Sequence, residues 1–131
     1  MKFLRDTLLP VLVATILISI SEFARNQFLL KSYWTSHYAG LGLTFPEEPV
    51  NGAVWGFWSL LFALFIFFLS KKFSLLQTTL LAWFAGFVLM WVVLWNMVVL
   101  PTGILWAAIP LSLLEAFLAS LIISLLKKKS S

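Results

Sequence analysis

The segment from Ile104 to Leu126 is a long apolar run with a single acidic residue, Glu115, in its middle. It is longer than the roughly 18 residues that mark a candidate membrane-spanning helix. A carboxylate at that depth in a bilayer costs several kcal/mol unless it is paired, protonated or in contact with water, and it marks a functional site by default. The chain must therefore adopt a fold that shelters Glu115 from lipid.

The amino-acid composition excludes an ordinary water-soluble domain. Hydrophobic residues make up 62% of the 131 residues and charged residues 11%, whereas soluble domains average about 45–50% apolar and about 25% charged. The net charge of +4 does not indicate nucleic-acid binding, because the basic residues lie beside apolar runs, as topology determinants do. The absence of cysteine excludes disulfides, thiolate metal sites and cysteine nucleophiles.

Four apolar runs predict an all-α fold, an integral membrane four-helix bundle formed by one domain over residues 1–131. The run Leu8–Ile20 follows two basic residues, as in a signal peptide, but apolar character resumes at 28–30, and this favours a first transmembrane helix. Part of the one long outer loop is predicted to form a short interfacial helix that Gly40 and Gly42 end. The predicted helices cover about 4–30, 50–69, 74–100 and 104–126, and the outer loop covers 31–49.

The distribution of basic residues predicts the topology. If both termini lie on one side, seven of the nine lysines and arginines are on that side, and only Arg25 and Lys31 are on the other. By the positive-inside rule both termini are cytoplasmic, which agrees with an even number of spans. We therefore predict an N-in, C-in protein of a bacterial-type inner membrane, in contact with membrane lipid.

Polar side chains gather at the predicted outer ends of the helices. Glu22, Arg25 and Asn26 are spaced i, i+3 and i+4 and so project from one face of the first helix. This asymmetry predicts an outward-facing polar pocket beneath the outer loop, with Glu115 as its floor. The candidate ligand-binding or proton-linked residues are Glu115, Arg25, Glu22, Asn26, Asn96, Asn51, Trp55 and Trp95.

The predicted depths of the charged residues indicate how they pair. Glu115 lies roughly 17 Å below the start of the fourth helix, and Arg25 lies roughly 8 Å below the end of the first. Two long side chains, or a water, span the difference. Since isolated charges at this depth are too costly to persist, Arg25 is expected to pair with Glu22, with Glu115 or with both.

These candidates also have structural interpretations. Glu115 is either a proton-linked or ligand-binding acid or an acid that fixes helix packing. Glu22, Arg25 and Asn26 either bind a ligand or extend toward the headgroup layer. Asn51 is well placed to cap the second helix. The lone His37 lacks partners at metal-ligand spacing, so neither a metal nor a cofactor is predicted.

Two stripes of small residues offer surfaces for close helix contact. Gly52 and Gly56 lie four residues apart near the start of the second helix. A second stripe recurs every four residues along the fourth helix and places Glu115 at the edge of a helix–helix contact. A homo-oligomer is one possible use of these stripes, whose members are Gly52 and Gly56, and Ala108, Ser112, Ala116 and Ser120.

One short stretch of the first helix resembles a known family. Ile18, Ser19, Glu22 and the run 29–31 are similar to the first helix of the small multidrug resistance transporters, which also have four helices and a functional glutamate in the first. The likeness covers a small part of the chain. The long outer loop, the strong charge bias and the deep acid in helix four depart from that family, so its function is not carried over.

The sequence supports one main functional hypothesis and two alternatives. The main hypothesis is a pocket that binds a small or lipid-like ligand and couples to a proton, as in a transporter or its subunit. The first alternative is a membrane enzyme that uses Glu115 as general acid or base. The second is a structural subunit whose polar residues fix packing or bind a partner helix.

Overall fold

The computed structural model describes residues 2–130, and the side chains of residues 2–127. This part of the chain is helical and contains no β-strand. Four segments are long and apolar enough to cross a membrane, namely Leu4–Leu29, Pro49–Ser70, Leu75–Asn96 and Thr102–Lys127. The helices are α1 (Leu4–Leu29), α2 (Lys31–Gly40), α3 (Pro49–Ser70), α4 (Leu75–Asn96) and α5 (Leu105–Ser130).

The four long helices form a bundle in which α3 and α5 contact each other and both contact the other two helices. Helix α1 contacts α3 and α5, and α4 contacts α3 and α5. The connections 71–74 and 97–104 are short, so the helices they join are antiparallel. We call the end of the bundle that carries α2 and the 97–104 connection the loop end. The opposite end, which carries Lys71, Lys72 and Lys127, is the lysine end.

Helices α3 and α4 begin with reciprocal side-chain caps. Glu48 is the N-cap of α3, and its amide donates to Asn51 Oδ1 at 3.0 Å while its side chain accepts from the Asn51 amide. Ser74 and Gln77 make the same exchange at the start of α4. Asn51 therefore caps α3 from the third position of the helix and not from the N-cap. The exchange with Glu48 satisfies two of the free amides at the helix start.

Helix α4 ends at Asn96, before the predicted limit at residue 100, because the chain reverses at Val98. The amides of Val98 and Val99 donate to the carbonyls of Trp95 and Leu94, both at 3.0 Å, which is the bonding pattern of a Schellman turn. The reversal requires a left-handed backbone at Val98, whose φ is 66°. Glycine normally takes that position, and a β-branched residue there is strained.

The two small-residue stripes differ in their surroundings. On α5, all four members of the predicted stripe are buried within the single chain: Ala108, Ser112, Ala116 and Ser120. On α3, a side-chain carbon added at Gly52 or Gly56 would meet no atom within 4 Å. The homo-oligomer stays a prediction, and in the single chain only the glycine stripe is open to a further partner.

Candidate functional site

Arg25 lies in a π-helical turn of α1, Ala24–Leu29, and Glu22 comes just before this turn. The Leu30 amide donates to the Arg25 carbonyl at 2.8 Å, an i to i+5 bond. Arg25 is 6% exposed, and Glu22, one turn before it, is 4% exposed. Single π-helical turns inside α-helices are frequent at functional sites. Here the turn buries a guanidinium and a carboxylate at the loop end of the bundle.

Arg25 contacts two carboxylates from different helices. Its Nη2 atom lies 2.5 Å from Glu22 Oε1, and its Nη1 atom lies 3.2 Å from Oε1 of Glu115 on α5. Glu115 is 2% exposed. We call Glu22, Arg25 and Glu115 the acid–arginine triad. The sequence left open whether Arg25 pairs with one acid or with both, and in the structure it pairs with both. The contact with Glu115 ties α1 to α5.

The guanidinium is also held from α4. Its central carbon lies 5.4 Å from the centroid of the Phe87 ring, which is close enough for a cation–π contact. Phe87 belongs to a second π-helical turn, Phe84–Val88. Gly86, in the same turn, lets α4 approach α3, since an added Cβ would come 2.5 Å from Phe62 Cε1. The two π-helical turns thus bring the guanidinium and the aromatic face together.

The charges of the triad do not balance when both acids are ionised. One guanidinium faces two carboxylates, which leaves one negative charge in excess. Glu115 Oε2 is buried and has no hydrogen-bond partner among the described residues. A buried unpaired charge is costly, and a buried unpaired oxygen is costly too. A proton on the acid pair removes the excess charge.

Asn26 connects the triad to the loop helix α2. Its Nδ2 group donates to Glu22 Oε2 at 3.1 Å and to the Glu22 carbonyl at 3.2 Å. Its Oδ1 atom accepts from the indole Nε1 of Trp34, on α2, at 3.1 Å. In all three contacts of this side-chain amide a donor faces an acceptor. Asn26 therefore links α2, through Trp34, to the Glu22 carboxylate.

Helix α2 covers the loop end of the bundle and is held at two further places. The Trp34 and Tyr38 rings pack on Phe45, with centroids 5.6 and 5.2 Å apart respectively. His37 Nε2 lies 2.8 Å from the carbonyl oxygen of Val98, the strained residue that ends α4. Helix α2 is therefore a cover attached to both α1 and the 97–104 connection.

A cavity of about 350 Å³ lies beneath this cover. We call it the inner cavity. Its polar wall contains Glu22, Arg25 and Asn26, and its apolar wall is largely aromatic. Its volume and mixed lining match those of small-molecule sites, which are typically 300–1,000 Å³. The other lining residues are Gln27, Trp34, Tyr38, Phe45, Pro46, Asn51, Val54, Trp55, Phe87, Met90, Trp91, Leu94, Ile104 and Ala108.

Five of the eight candidate residues from the sequence line the inner cavity: Glu22, Arg25, Asn26, Asn51 and Trp55. Glu115 does not line it but lies behind Arg25, so it contacts the cavity only through the guanidinium.

The other two candidates, Trp95 and Asn96, lie away from the cavity. Trp95 is 65% exposed, and Asn96 is also exposed. Asn96 follows Phe87 by nine residues and so points half a turn away from it on a helix with 3.6 residues per turn.

Sequence reasoning missed the wall that α4 contributes. Phe87, Met90, Trp91 and Leu94 line the cavity at the spacing i, i+3, i+4 and i+7, which is the periodicity of one helix face. That spacing is visible in the sequence, but an apolar face of a membrane helix can equally contact lipid or another helix. The contribution of Trp34 had no sequence signal, because its partner Asn26 is eight residues away on a different helix.

No group of three histidine, cysteine, aspartate or glutamate side chains in the described part of the chain is arranged to hold a metal ion. Comparisons with protein-family models, with curated proteins and with solved structures give no match to this chain. A functional assignment therefore depends on the triad, the inner cavity and the cover formed by α2.

Proposed function

We propose that the chain is an integral membrane protein whose inner cavity binds a small or lipid-like amphiphile. The observation that carries this proposal is the cavity itself, in which a buried arginine and a buried glutamate share the wall with three tryptophans. A polar group of the ligand would contact Glu22, Arg25 and Asn26. Its apolar part would contact Trp55 and Trp91.

The membrane location is supported by the four long apolar helices. The proposed topology follows from the lysines at the lysine end, which the positive-inside rule puts in the cytoplasm of a bacterial-type cell. Both termini are then cytoplasmic, and the loop end, with α2 and the inner cavity, faces outward. The polar groups of the triad lie within the bundle and away from hydrocarbon, as the cost of charge in a bilayer demands.

The proposal includes a proton because the charges of the triad do not balance without one. The triad is neutral when its two carboxyl groups hold one proton between them, and it is negative when they hold none. A ligand group that contacts Glu22 or Arg25 changes the balance between these states. Binding at the inner cavity is thereby linked to proton uptake or release, as a proton-coupled transporter or its subunit requires.

The geometry favours ligand binding over the enzymatic alternative. A general acid or base must come within hydrogen-bond reach of its substrate, directly or through one water. Glu115 does not line the inner cavity, and Arg25 stands between it and the cavity. Glu22, which does line the cavity, is already bonded to Arg25 and Asn26. The triad is thus arranged to hold charge in place.

The test measures amphiphile retention by the detergent-purified protein. Native mass spectrometry of the wild type, after addition of phosphatidylethanolamine, is expected to show a bound lipid that survives mild activation. Trp55→Ala removes an aromatic wall of the inner cavity and is expected to reduce the bound fraction several-fold. Trp55 is already 42% exposed, so the fold should tolerate the change.

Trp95→Ala is the matched control, because it removes the same side chain from a place outside the inner cavity. It is expected to retain lipid as the wild type does. Equal loss in both variants, or no retained lipid in the wild type, would contradict the proposal. If lipid retention is unaffected by Trp55→Ala while the protein stays folded, the polar residues serve packing and the structural alternative is favoured.

A further inference from the structure

A second cavity opens on the side of the bundle between the loop-end halves of α1 and α3. It has a volume of about 700 Å³. We call it the lateral groove. Its α1 wall includes Ile20 and Phe23, and its α3 wall includes Gly52, Gly56 and Ser59. Ile20 and Phe23 are more than half exposed, so the described part of the chain leaves this apolar surface uncovered.

The lateral groove and the inner cavity share a common wall. Six residues line both: Glu22, Asn26, Gln27, Pro46, Asn51 and Trp55. Most of these side chains are polar. A molecule with its polar group at the shared wall could therefore place its apolar part in the groove without crossing the charged triad.

The lateral groove lies at the depth of hydrocarbon in the proposed orientation. Gly56 is seven residues from the start of α3, or roughly 10 Å along the helix, and Ile20 is nine residues from the end of α1, or roughly 14 Å. The absence of side chains at Gly52 and Gly56 keeps the α3 wall open, since a carbon added at either would meet nothing within 4 Å.

The charges around the groove favour one kind of polar group. Three carboxylates line it, those of Glu22, Glu47 and Glu48, and its lining contains no lysine or arginine. Two of these carboxylates are already in ion pairs, Glu22 with Arg25 and Glu47 with the exposed Lys31 at 3.4 Å. The three carboxylates and these two cations leave one net negative charge at the rim, on the side of Glu48. An ammonium group is therefore complementary to this rim, and a second anionic group is not.

We infer that the lateral groove is the entry and tail-binding site for an acyl-chain amphiphile with an amine-bearing head. The amphiphile enters sideways from the bilayer between α1 and α3. Its head lies at the wall shared with the inner cavity, and one hydrocarbon chain lies against Gly52 and Gly56. This inference rests on the proposed function, and it adds the class of ligand and its route.

The test uses phosphatidylethanolamine with a photoactivatable diazirine in one acyl chain, incorporated with the intact protein into phosphatidylcholine bilayers. Crosslinked residues are mapped by peptide mass spectrometry. Crosslinks are expected on residues 19–28 and 52–59. Phosphatidylglycerol with the same diazirine chain is expected to label these residues several-fold less, because its head is anionic. Equal or stronger labelling by phosphatidylglycerol overturns the choice of an amine-bearing head.

The variant Gly52→Leu/Gly56→Leu fills the groove from the α3 side, where an added Cβ meets no atom within 4 Å. It is expected to reduce labelling at least fivefold. Ala53→Leu is the matched control, because Ala53 is exposed on the same helix and lines neither cavity. Labelling that is unchanged in the filled variant overturns the inference. So does an efficient disulfide between two copies of Gly56→Cys in bilayers, which would show that a second chain occupies the groove.

The pattern of labelling separates this inference from the proposed function. Crosslinks on Met90 and Leu94 without any on the groove residues would show that amphiphiles reach the inner cavity by another route, which overturns the lateral entry alone. An absence of crosslinks at both places would overturn both.

Discussion

Arg25 and Glu115 are separated by 90 residues in the sequence, and their side chains meet at 3.2 Å inside the bundle. Glu22 approaches the same guanidinium from the other side at 2.5 Å. One arginine thus links α1 to α5 and neutralises only part of the negative charge around it. Stability and ligand binding in this protein should both respond to the charge of this triad.

Removal of Arg25 should strongly destabilise the protein. Arg25→Ala leaves two buried carboxylates without a counter-charge, and breaking a buried ion pair in this way typically costs about 3–5 kcal/mol. Thermal unfolding in detergent micelles is expected to show a large drop in midpoint. Arg5→Ala is the control, because Arg5 is an exposed arginine on the same helix. Part of the lost stability should be recovered in the double variant Arg25→Ala/Glu115→Ala. A double variant that is no more stable than Arg25→Ala would show that pairing is not the main role of Glu115.

Neutralisation of Glu115 should leave the protein at least as stable as the wild type, in contrast to removal of Arg25. Glu115→Gln keeps the shape of the side chain and removes the excess negative charge, so the thermal midpoint is expected to equal or exceed that of the wild type. If the triad binds a proton, Glu115→Gln should also abolish the change in proton uptake that accompanies amphiphile binding, measured with a pH indicator in weakly buffered solution. A strongly destabilised Glu115→Gln would mean that both carboxylates are needed in their ionised form.

Some of these features follow from the sequence alone because their causes are local. The four long helices follow from the length of the apolar runs, and the pairing of Arg25 follows from the cost of burying an isolated charge. Gly40 and Gly42 predict where the loop helix α2 ends: the helix stops at Gly40, and Gly42 adopts a left-handed φ of 76°.

Other features depend on how helices rotate against one another, which the sequence does not state. Depth along the chain placed Glu115 at the floor of the pocket, but the rotation of α5 puts it behind Arg25. The sequence predicts one continuous helix over 74–100 and does not indicate the π-helical turn Phe84–Val88, which brings Phe87 to the guanidinium. The same helix turns Asn96 away from the cavity. The rotation of each helix about its own axis therefore decides which side chains form a site.

Gly86 should be intolerant of any side chain. Gly86→Ala would place a carbon 2.5 Å from the Phe62 ring, and such overpacking typically costs about 1–3 kcal/mol. The ring also stacks on Trp58 and contacts Phe87, so it has little freedom to move. Gly56→Ala is the matched control, since its added carbon meets nothing. Equal thermal midpoints for the two variants would contradict the close approach of α4 to α3.

Val98 should be a position where glycine stabilises the protein. Its φ of 66° costs an L-residue roughly 1–2 kcal/mol, and Val98→Gly relieves that strain while it adds some backbone entropy to the unfolded state. A small rise in thermal midpoint is expected, with α2 still held through His37 to the residue-98 carbonyl. Val99→Gly, at the neighbouring position, should lower the midpoint, and the same response at both positions would exclude strain as the cause.

The proposed topology predicts opposite chemical accessibility for the two ends of the bundle. Because the chain contains no cysteine, single cysteines introduced at Ser32, at the loop end, and at Phe73, at the lysine end, report on their own surroundings. Both positions are exposed. In intact bacterial cells a membrane-impermeant maleimide is expected to label Ser32→Cys at once and Phe73→Cys only after the cells are permeabilised. The positive-inside rule gives this direction, because Lys71 and Lys72 directly precede Phe73. The reverse pattern would place the inner cavity on the cytoplasmic side, and the amphiphile would then have to come from the inner leaflet.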